Sequence, residues 1–426
     1  MNDMICMGCY KKNVEGYCLT CRKKLFNGAR VSHVLPFEEP KADNLTAYQE
    51  KTKRLSISGV QLKYSLRLEK KELVLTDKGG QYILKPVPPS SQITETSHAP
   101  ENEHLTMQIA EQLYDIDAAA NALIYFKDGA PAYVTRRFDV RPDGTKCLQE
   151  DFAQISGKSR QKHGENFKYD GSTYEDIGFL IRQHVPAYMP AIENYFRLIV
   201  FNYLISNGDA HLKNFSLIQT SMGDYSLSPA YDLMCTALHM PSESDSALDL
   251  YPGDIDSEFY KKQGYFGQPD FRALADKLGL LPKRAARIIT HLLSGKEKVI
   301  RMVQESFLSD EAKRKYAGAY QEKLKRMGMT KDMIANIIDP VQHEVYATTH
   351  APTKLIFRDG SFKTGHFENN RRTKELEEQN KFTFVESANE EAFEKTKEDK
   401  LIISIEGDEL IDVVYPCDAE DDDKKS

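Results

Sequence analysis

Between residues 56 and 87 the hydrophobic and polar positions alternate. "YSLRLE" and "ELVLTD" carry the two-residue period of half-buried strands, "KGG" supplies a turn, and "QYILKPV" follows as another strand. "PVPPSSQITETSHAP" is rich in Pro, Ser and Thr and reads as a loop. The period then changes. In "ENEHLTMQIAEQLY" the apolar residues Leu105, Ile109 and Leu113 recur at helical spacing with polar residues between them. "NALIYFKDGAPAYVTRRFDV" returns to a strand pattern and reads as a hairpin turning at "KDGA". Strands, one helix and more strands describe a small α+β lobe, preceded by a charged connector with a short helix at "LTAYQEKTKRL".

From about residue 150 the pattern is helical. The main segments are "YEDIGFLIRQHV", "AIENYFRLIVFNYLIS", "PDFRALADKLGL", "KRAARIITHLLSGKEKVIRMVQESF" and "DEAKRKYAGAYQEKLKRM", with a loop-rich stretch over 206–268. After about 340 alternation returns in "TKLIFRDGSFKTGHFE", "NKFTFVES" and "DKLIISIEGDELIDVVYP", split by a charged helical stretch. The expected organisation is a cysteine segment over 1–28, a sheet lobe with its connector over 29–149, a helical lobe over 150–335, a β-rich module over 340–418 and a disordered polar tail over 419–426.

The 426 residues suffice for several cores. A formal net charge of −7 supplies no overall basic field for nucleic acid. "MNDMICMGCY" lacks the apolar core of a signal peptide, and no run approaches the roughly 18 apolar residues of a membrane span. The expectation is a cytoplasmic protein with no membrane association and with reduced thiols.

Four of the seven cysteines cluster as "CMGC" and "CLTC": Cys6, Cys9, Cys18 and Cys21. Each C-x-x-C pair can turn two thiolates toward one tetrahedral Zn²⁺, and two pairs close the shell, which suits a structural site. The segment is too small to hold a core of its own, so metal would supply its folding energy. Lys11, Lys12, Arg22, Lys23 and Lys24 admit a nucleic-acid finger, but no recognition helix of useful length accompanies them.

Three further stretches ask for one explanation: "SNGDAHLKN", "LSPAYDL" and "QYILKPV". Singly each has a bland reading, as a turn, a capped loop and a solvated edge strand. Together they supply the parts of phosphoryl transfer: a strand lysine, Lys85, for nucleotide phosphates; Asp209 as base; Asn214 five residues on; and a second acid, Asp232. Glu101 and Glu103 are the candidates to pair with Lys85, and Glu103 is chosen because it lies nearer the start of the apolar period.

With "SISGVQLK", "YILKPVP", "ENEHLTMQIA", "RRFDV", "QEDFAQISGK", "NGDAHLKNFSL" and "LSPAYDL", residues 56 to about 325 resemble the HipA-type serine/threonine kinases, toxins of bacterial toxin–antitoxin loci. "SISG", "ENEH" and "FGQPDFRALADKLGL" are most similar to the shorter, split-type HipT kinases. The resemblance implies a two-lobed, kinase-like α+β fold that uses ATP and Mg²⁺. Asp209 would be the catalytic base, Asn214 and Asp232 the Mg²⁺ ligands, and Lys85 a phosphate ligand. The backbone of Gly59, Val60 and Gln61 would cover the phosphates, and the Arg136–Phe138 linker would meet the adenine. It further implies autophosphorylation at Ser56 or Ser58 that silences the kinase, a protein substrate such as an aminoacyl-tRNA synthetase, and a helix-turn-helix antitoxin through which any DNA contact would be indirect. The cysteine segment and the C-terminal module lie outside the family's kinase core; "LIFRDGSFKTGHF" resembles, over a short stretch, an SH3-like or Sm-like barrel. Two other classes stay open: a catalytically silent kinase-like scaffold, and a phosphohydrolase using Asp209, His211 and Asp232.

Overall fold

In the computed structural model, residues 4–40, 62–88, 95–141, 143–328, 352–357, 361–367, 381–406 and 409–414 are described. Ser56, Ser58, Gly59, Val60 and Gln61, the connector helix read at "LTAYQEKTKRL", and the tail lie outside them. The fold mixes α and β and divides into two compact units: residues 1–254 with 277–280 and 298–320, and residues 255–276 with 281–297 and 321–426.

The first unit holds a five-stranded antiparallel sheet built from β1 (Tyr64–Glu69), β2 (Glu72–Leu75), β3 (Tyr82–Pro86), β4 (Asn121–Tyr125) and β5 (Pro131–Arg136), in the order β2-β1-β3-β5-β4. β3 is therefore the central strand, paired through Tyr64↔Leu84 on one side and Lys85↔Tyr133 on the other. Four of its five residues are buried, Lys85 among them.

Helix α1 (Leu19–Phe26) belongs to the cysteine segment, and α2 (Ala99–Tyr114) lies against β4 and β5. Pro100 fixes φ in the first turn of α2, where no N–H is needed, and Asp115 closes the helix in the left-handed region. The apolar spacing of α2 predicts one buried stripe, but nearly every side chain from Ala99 to Ala110 is buried. Several of the polar ones have partners. Asn102 donates to the Cys235 carbonyl at 2.9 Å and accepts from the Cys235 amide at 3.1 Å, and the Thr106 and Tyr316 hydroxyls lie 3.0 Å apart.

The cysteine segment does not stand alone. Tyr17, Leu25 and Phe26 share one core with Leu66, Leu84, Ala122 and Val134 of the sheet. The Leu123 amide donates to the Met7 carbonyl at 2.9 Å, and the Tyr17 and Tyr82 hydroxyls bond to the carbonyls of Leu123 and Leu25. Apolar burial against the sheet thus contributes folding energy that the sequence assigns to metal alone.

Helices α3 (Tyr174–His184) and α4 (Tyr188–Leu204) pack on each other, α3 opening on a Thr173–Asp176 capping box. A second sheet joins β6 (Gln149–Asp151), which precedes α3, to β7 (Ser216–Gln219) and β8 (Tyr225–Leu227), which follow α4. The turn between α4 and β7 carries "SNGDAHLKN".

The second unit holds another five-stranded antiparallel sheet, of β9 (Thr353–Phe357), β10 (Phe362–Phe367), β11 (Lys381–Glu386), β12 (Ile403–Glu406) and β13 (Leu410–Val414), in the order β12-β11-β10-β9-β13. Leu355, Phe384, Ile405 and Leu410 form its core. The helical pattern over "KRAARIITHLLSGKEKVIRMVQESF" breaks into Pro282–Leu293 and Lys296–Glu305, with Ser294 as the first helix's C-cap. Among the described residues no helix is long and apolar enough to cross a membrane.

Candidate active site

The site lies within the first unit. Lys85 is 3% exposed. Its ammonium donates to Glu103 Oε1 at 2.5 Å and also to Asp232 Oδ1. Asp232 is set by a left-handed backbone (φ 56°), and its other oxygen accepts from Lys63 Nζ at 3.2 Å. The structure thus brings Lys85, Glu103 and Asp232 together from a central strand, a helix and a loop. Of the two candidate glutamates, Glu103 holds the lysine, while Glu101 is buried with Oε2 lacking a hydrogen-bond partner. Burial opposes the Lys85 charge, yet the Asp232 and Glu103 carboxylates outweigh it and hold the ammonium above its usual range. Burial also works against the Asp232 charge, but Lys63 and Lys85 hold that carboxyl well below the ordinary range. Glu103 is raised to about 7 by burial, with the Asp232 charge adding to the rise against the pull of Lys85. One lysine thus serves two carboxylates, and the more buried of the two is the less acidic.

"SNGDAHLKN" forms a tight turn. Ser206 is left-handed (φ 57°), the Gly208 amide donates to the Thr236 hydroxyl at 2.8 Å, and the Asp209 amide donates to Asn207 Oδ1 at 3.3 Å. Gly208 is required here. A side chain at that position would come within 2.3 Å of the Ser244 carbonyl and 2.7 Å of Glu243 Oε2. Asn214 Oδ1 accepts from the His211 amide at 3.1 Å, and Lys213 reaches Asp151 at 2.6 Å. The Tyr231 hydroxyl donates to the Lys213 carbonyl at 2.8 Å, which ties this loop to the residue before Asp232. Phe138 lies 5.6 Å from the Tyr231 ring, so the linker after β5 approaches the same corner. The Arg136 and Arg137 amides are already committed to the carbonyls of Ala120 and Gln81, and the Arg136 guanidinium bonds Lys24 O and Asn27 Oδ1.

Asp209 Oδ1 accepts from the Tyr169 hydroxyl and lies 3.8 Å from His211 Nε2. Burial holds the His211 imidazole down at about 4 against the pull of Asp209 and Asp232, so it is neutral at pH 7. Among the described residues Asp209, His211 and Asp232 do not gather as a metal-ligand group; the one group that does is Cys6, Cys9, Cys18 and Cys21. Lys63 and Tyr169 join the site from outside the sequence motifs' candidate residues. Lys63 carries a signal, since it closes the quoted "SISGVQLK", whereas Tyr169 sits in a loop without period.

The four thiol sulfurs lie within 4.8 Å of one another, with Cys6–Cys21 and Cys9–Cys18 each at 3.7 Å. A tetrahedral Zn²⁺ with Zn–S near 2.3 Å sets sulfurs about 3.8 Å apart, so the cluster is compatible with zinc. The Cys18 amide already donates to Cys6 Sγ at 3.2 Å, as expected of a thiolate knuckle. Gly8 makes the knuckle possible, because a Cβ there would come within 2.8 Å of Cys21 Sγ.

A buried strand lysine clasped by a helix glutamate, beside an aspartate and a D-x-x-x-x-N loop, is the set of parts that a kinase-like phosphate site would use. The chain belongs to the family of the HipA-like C-terminal domain, whose model matches residues 55–300. It is 28% identical over 317 residues to a Haemophilus influenzae protein named "Putative kinase", covering 70% of this chain and 89% of that one. A Sinorhizobium fredii protein, also named "Putative kinase", is 36% identical over 212 residues, covering 46% of this chain and 49% of that protein. The serine/threonine-protein kinase toxin HipA of Shewanella oneidensis is 28% identical over 242 residues, covering 53% of this chain and 52% of that protein. The chain thus spans about half the length of the last two. Among solved structures, the Shewanella HipA complex with HipB and operator DNA aligns at a TM-score of 0.48 and 21% identity, over 68% of this chain and 71% of that one. Helicobacter pylori CtkA aligns at 0.39 and 15%, over 64% of this chain and 93% of that one.

Proposed function

We propose that this chain is an ATP- and Mg²⁺-dependent serine/threonine protein kinase of the HipT type, with its N-lobe over 29–149 and C-lobe over 150–335. The observation that carries the reading is the convergence of Lys85, Lys63, Glu103 and Asp232 beside the Asp209–Asn214 loop. Two ammonium groups aimed at one carboxylate make a locus where phosphate oxygens can exchange for protein oxygens. Asp232 and Asn214 offer the hard oxygen donors that suit Mg²⁺, and Asn214 Oδ1 keeps a second lone pair beside its bond to the His211 amide.

Magnesium, when bound, neutralises phosphate charge and lowers the cost of the transfer. Lys85 and Lys63 then hold phosphate oxygens, and Glu103 keeps Lys85 in place. Asp209 accepts the proton of the acceptor serine or threonine hydroxyl as its oxygen bonds the γ-phosphorus and the bond to ADP breaks. The linker's recognition of adenine through an amide falls to Phe138, since the Arg136 and Arg137 amides are committed. Gly59, Val60 and Gln61 cover the phosphates. Phosphate on Ser56 or Ser58 would bring nearly two negative charges into that loop, repel ATP and silence the enzyme. The four-cysteine cluster holds a structural Zn²⁺.

The relative named a serine/threonine-protein kinase toxin supports a growth-arresting role. To it we add action in the cytoplasm, a protein substrate such as an aminoacyl-tRNA synthetase, and a helix-turn-helix antitoxin that carries the DNA contact. Calorimetry of ATP with and without Mg²⁺ tests the site. Wild type is expected to bind, with Lys85→Met losing affinity and Asp232→Asn binding more weakly and without Mg²⁺ dependence; binding unchanged in both variants would overturn the assignment. The serine switch fails if Ser56→Ala, Ser58→Ala and the double variant match wild type in activity and phosphate content.

A further inference from the structure

The loop over 164–172 is anchored to the catalytic turn. The Tyr169 and Asp170 amides both donate to the Asn166 carbonyl, at 2.8 and 3.1 Å, and the Leu212 amide donates to the Lys168 carbonyl at 3.2 Å. Tyr169 is thereby fixed beside Asp209. Its ring meets the His211 ring edge-on at 5.1 Å, and Lys168 Nζ lies over its face at 4.7 Å from the centroid. The phenol donates to Asp209 Oδ1, the same oxygen that His211 Nε2 approaches. Burial and the Asp209 charge push the phenol well above its usual range, with Glu243 adding to the rise, so it acts only as a donor. The Asp209 side chain is 43% exposed. Both neighbours crowd Oδ1, and among the described residues Oδ2 has no hydrogen-bond partner.

We propose that Tyr169 is a positioning residue of the phosphoryl transfer: its phenol pins Asp209 Oδ1 and so presents Oδ2 to the hydroxyl of the acceptor protein. This rests on the kinase reading above. The charged and titratable groups around the carboxylate are Tyr169 and Lys168 on the 164–172 loop, His211 on its own turn, and Glu243 from the segment after Asp232. The phenol is the neighbour that donates a hydrogen bond to the carboxylate. Its loss frees the carboxylate to rotate.

The test is phosphotransfer by the full chain, wild type against Tyr169→Phe, with kcat and KM for ATP separated and ATP binding measured by calorimetry on both. We expect unchanged ATP affinity and KM for ATP, with kcat lower by roughly tenfold or more. Replacement of Tyr169 by 3-fluorotyrosine, which keeps the phenol donor, should leave kcat near wild type and does not depend on how Tyr169→Phe folds. Transfer by Tyr169→Phe as fast as or faster than wild type, or a 3-fluorotyrosine protein as slow as Tyr169→Phe, overturns the proposal. Absence of transfer by wild type itself would instead sink the kinase reading.

Discussion

Removal of the Lys85 cation gives the sharpest test of the buried charge cluster. In Lys85→Met the side chain stays unbranched, one atom shorter, and loses its charge. Asp232 retains Lys63 at 3.2 Å, so the group left without its ion-pair partner is Glu103, which is 1% exposed. Breaking a buried pair costs about 3–5 kcal/mol, and the surviving Lys63 contact places this variant near 3. The cost should depend on pH. In wild type Glu103 is raised to about 7, above its unfolded value near 4.3, so it contributes most stability below pH 4.3 and loses it as pH rises toward 7. Without Lys85 its folded pKa moves above 7, and the loss continues to higher pH. Between pH 6 and 8 the penalty of Lys85→Met should therefore grow by about 1 kcal/mol. Hydrogen exchange of the β3 and α2 amides in urea reads this locally. The double variant Lys85→Met/Glu103→Leu should recover much of the loss. A penalty equal at both pH values, or a double variant no more stable than the single, would refute the reasoning.

Buried His104 (0% exposed) is held down at about 4 by burial, against its bond to Asn121. Its folded pKa lies below the unfolded value near 6.5, so stability is full above pH 6.5 and should fall by about 3 kcal/mol on acidification to pH 4, a slope that His104→Gln should flatten in pH-dependent urea unfolding. Metal analysis should find one zinc per chain. Because the cysteine segment shares the core of the sheet β1–β5, chelation should lower the thermal stability of that sheet, and a metal-free protein of unchanged melting temperature after chelator would contradict this. Gly8→Ala should lose zinc affinity, since its Cβ would come within 2.8 Å of Cys21 Sγ; full zinc occupancy in the variant would count against the knuckle.

The strands β1 to β5 and helix α2 are legible in the sequence because their periods are clean. The burial of Lys85 is not. A lysine in a strand reads as a solvated edge, and what encloses it is pairing on both sides of β3 plus carboxylates 18 and 147 residues away. Polar residues between the apolar positions of α2 suggest a solvated face, but Asn102, His104 and Thr106 meet partners supplied by Cys235, Asn121 and Tyr316. The cysteine segment reads as self-contained because its support, β4, lies more than 100 residues downstream. Spacing alone finds Asp209 and Asn214, since a loop of fixed length carries them. Tyr169 reaches Asp209 from 40 residues upstream, which no period records.

The central claim is that Asp209 serves the transfer of phosphate to a protein hydroxyl. Purified chain incubated with ATP and Mg²⁺ beside Asp209→Asn, with phosphosites located by mass spectrometry, tests it most directly. We expect phosphate on Ser56 or Ser58 in wild type and none in Asp209→Asn. Phosphate on neither protein, or equal phosphate on both, would contradict the account.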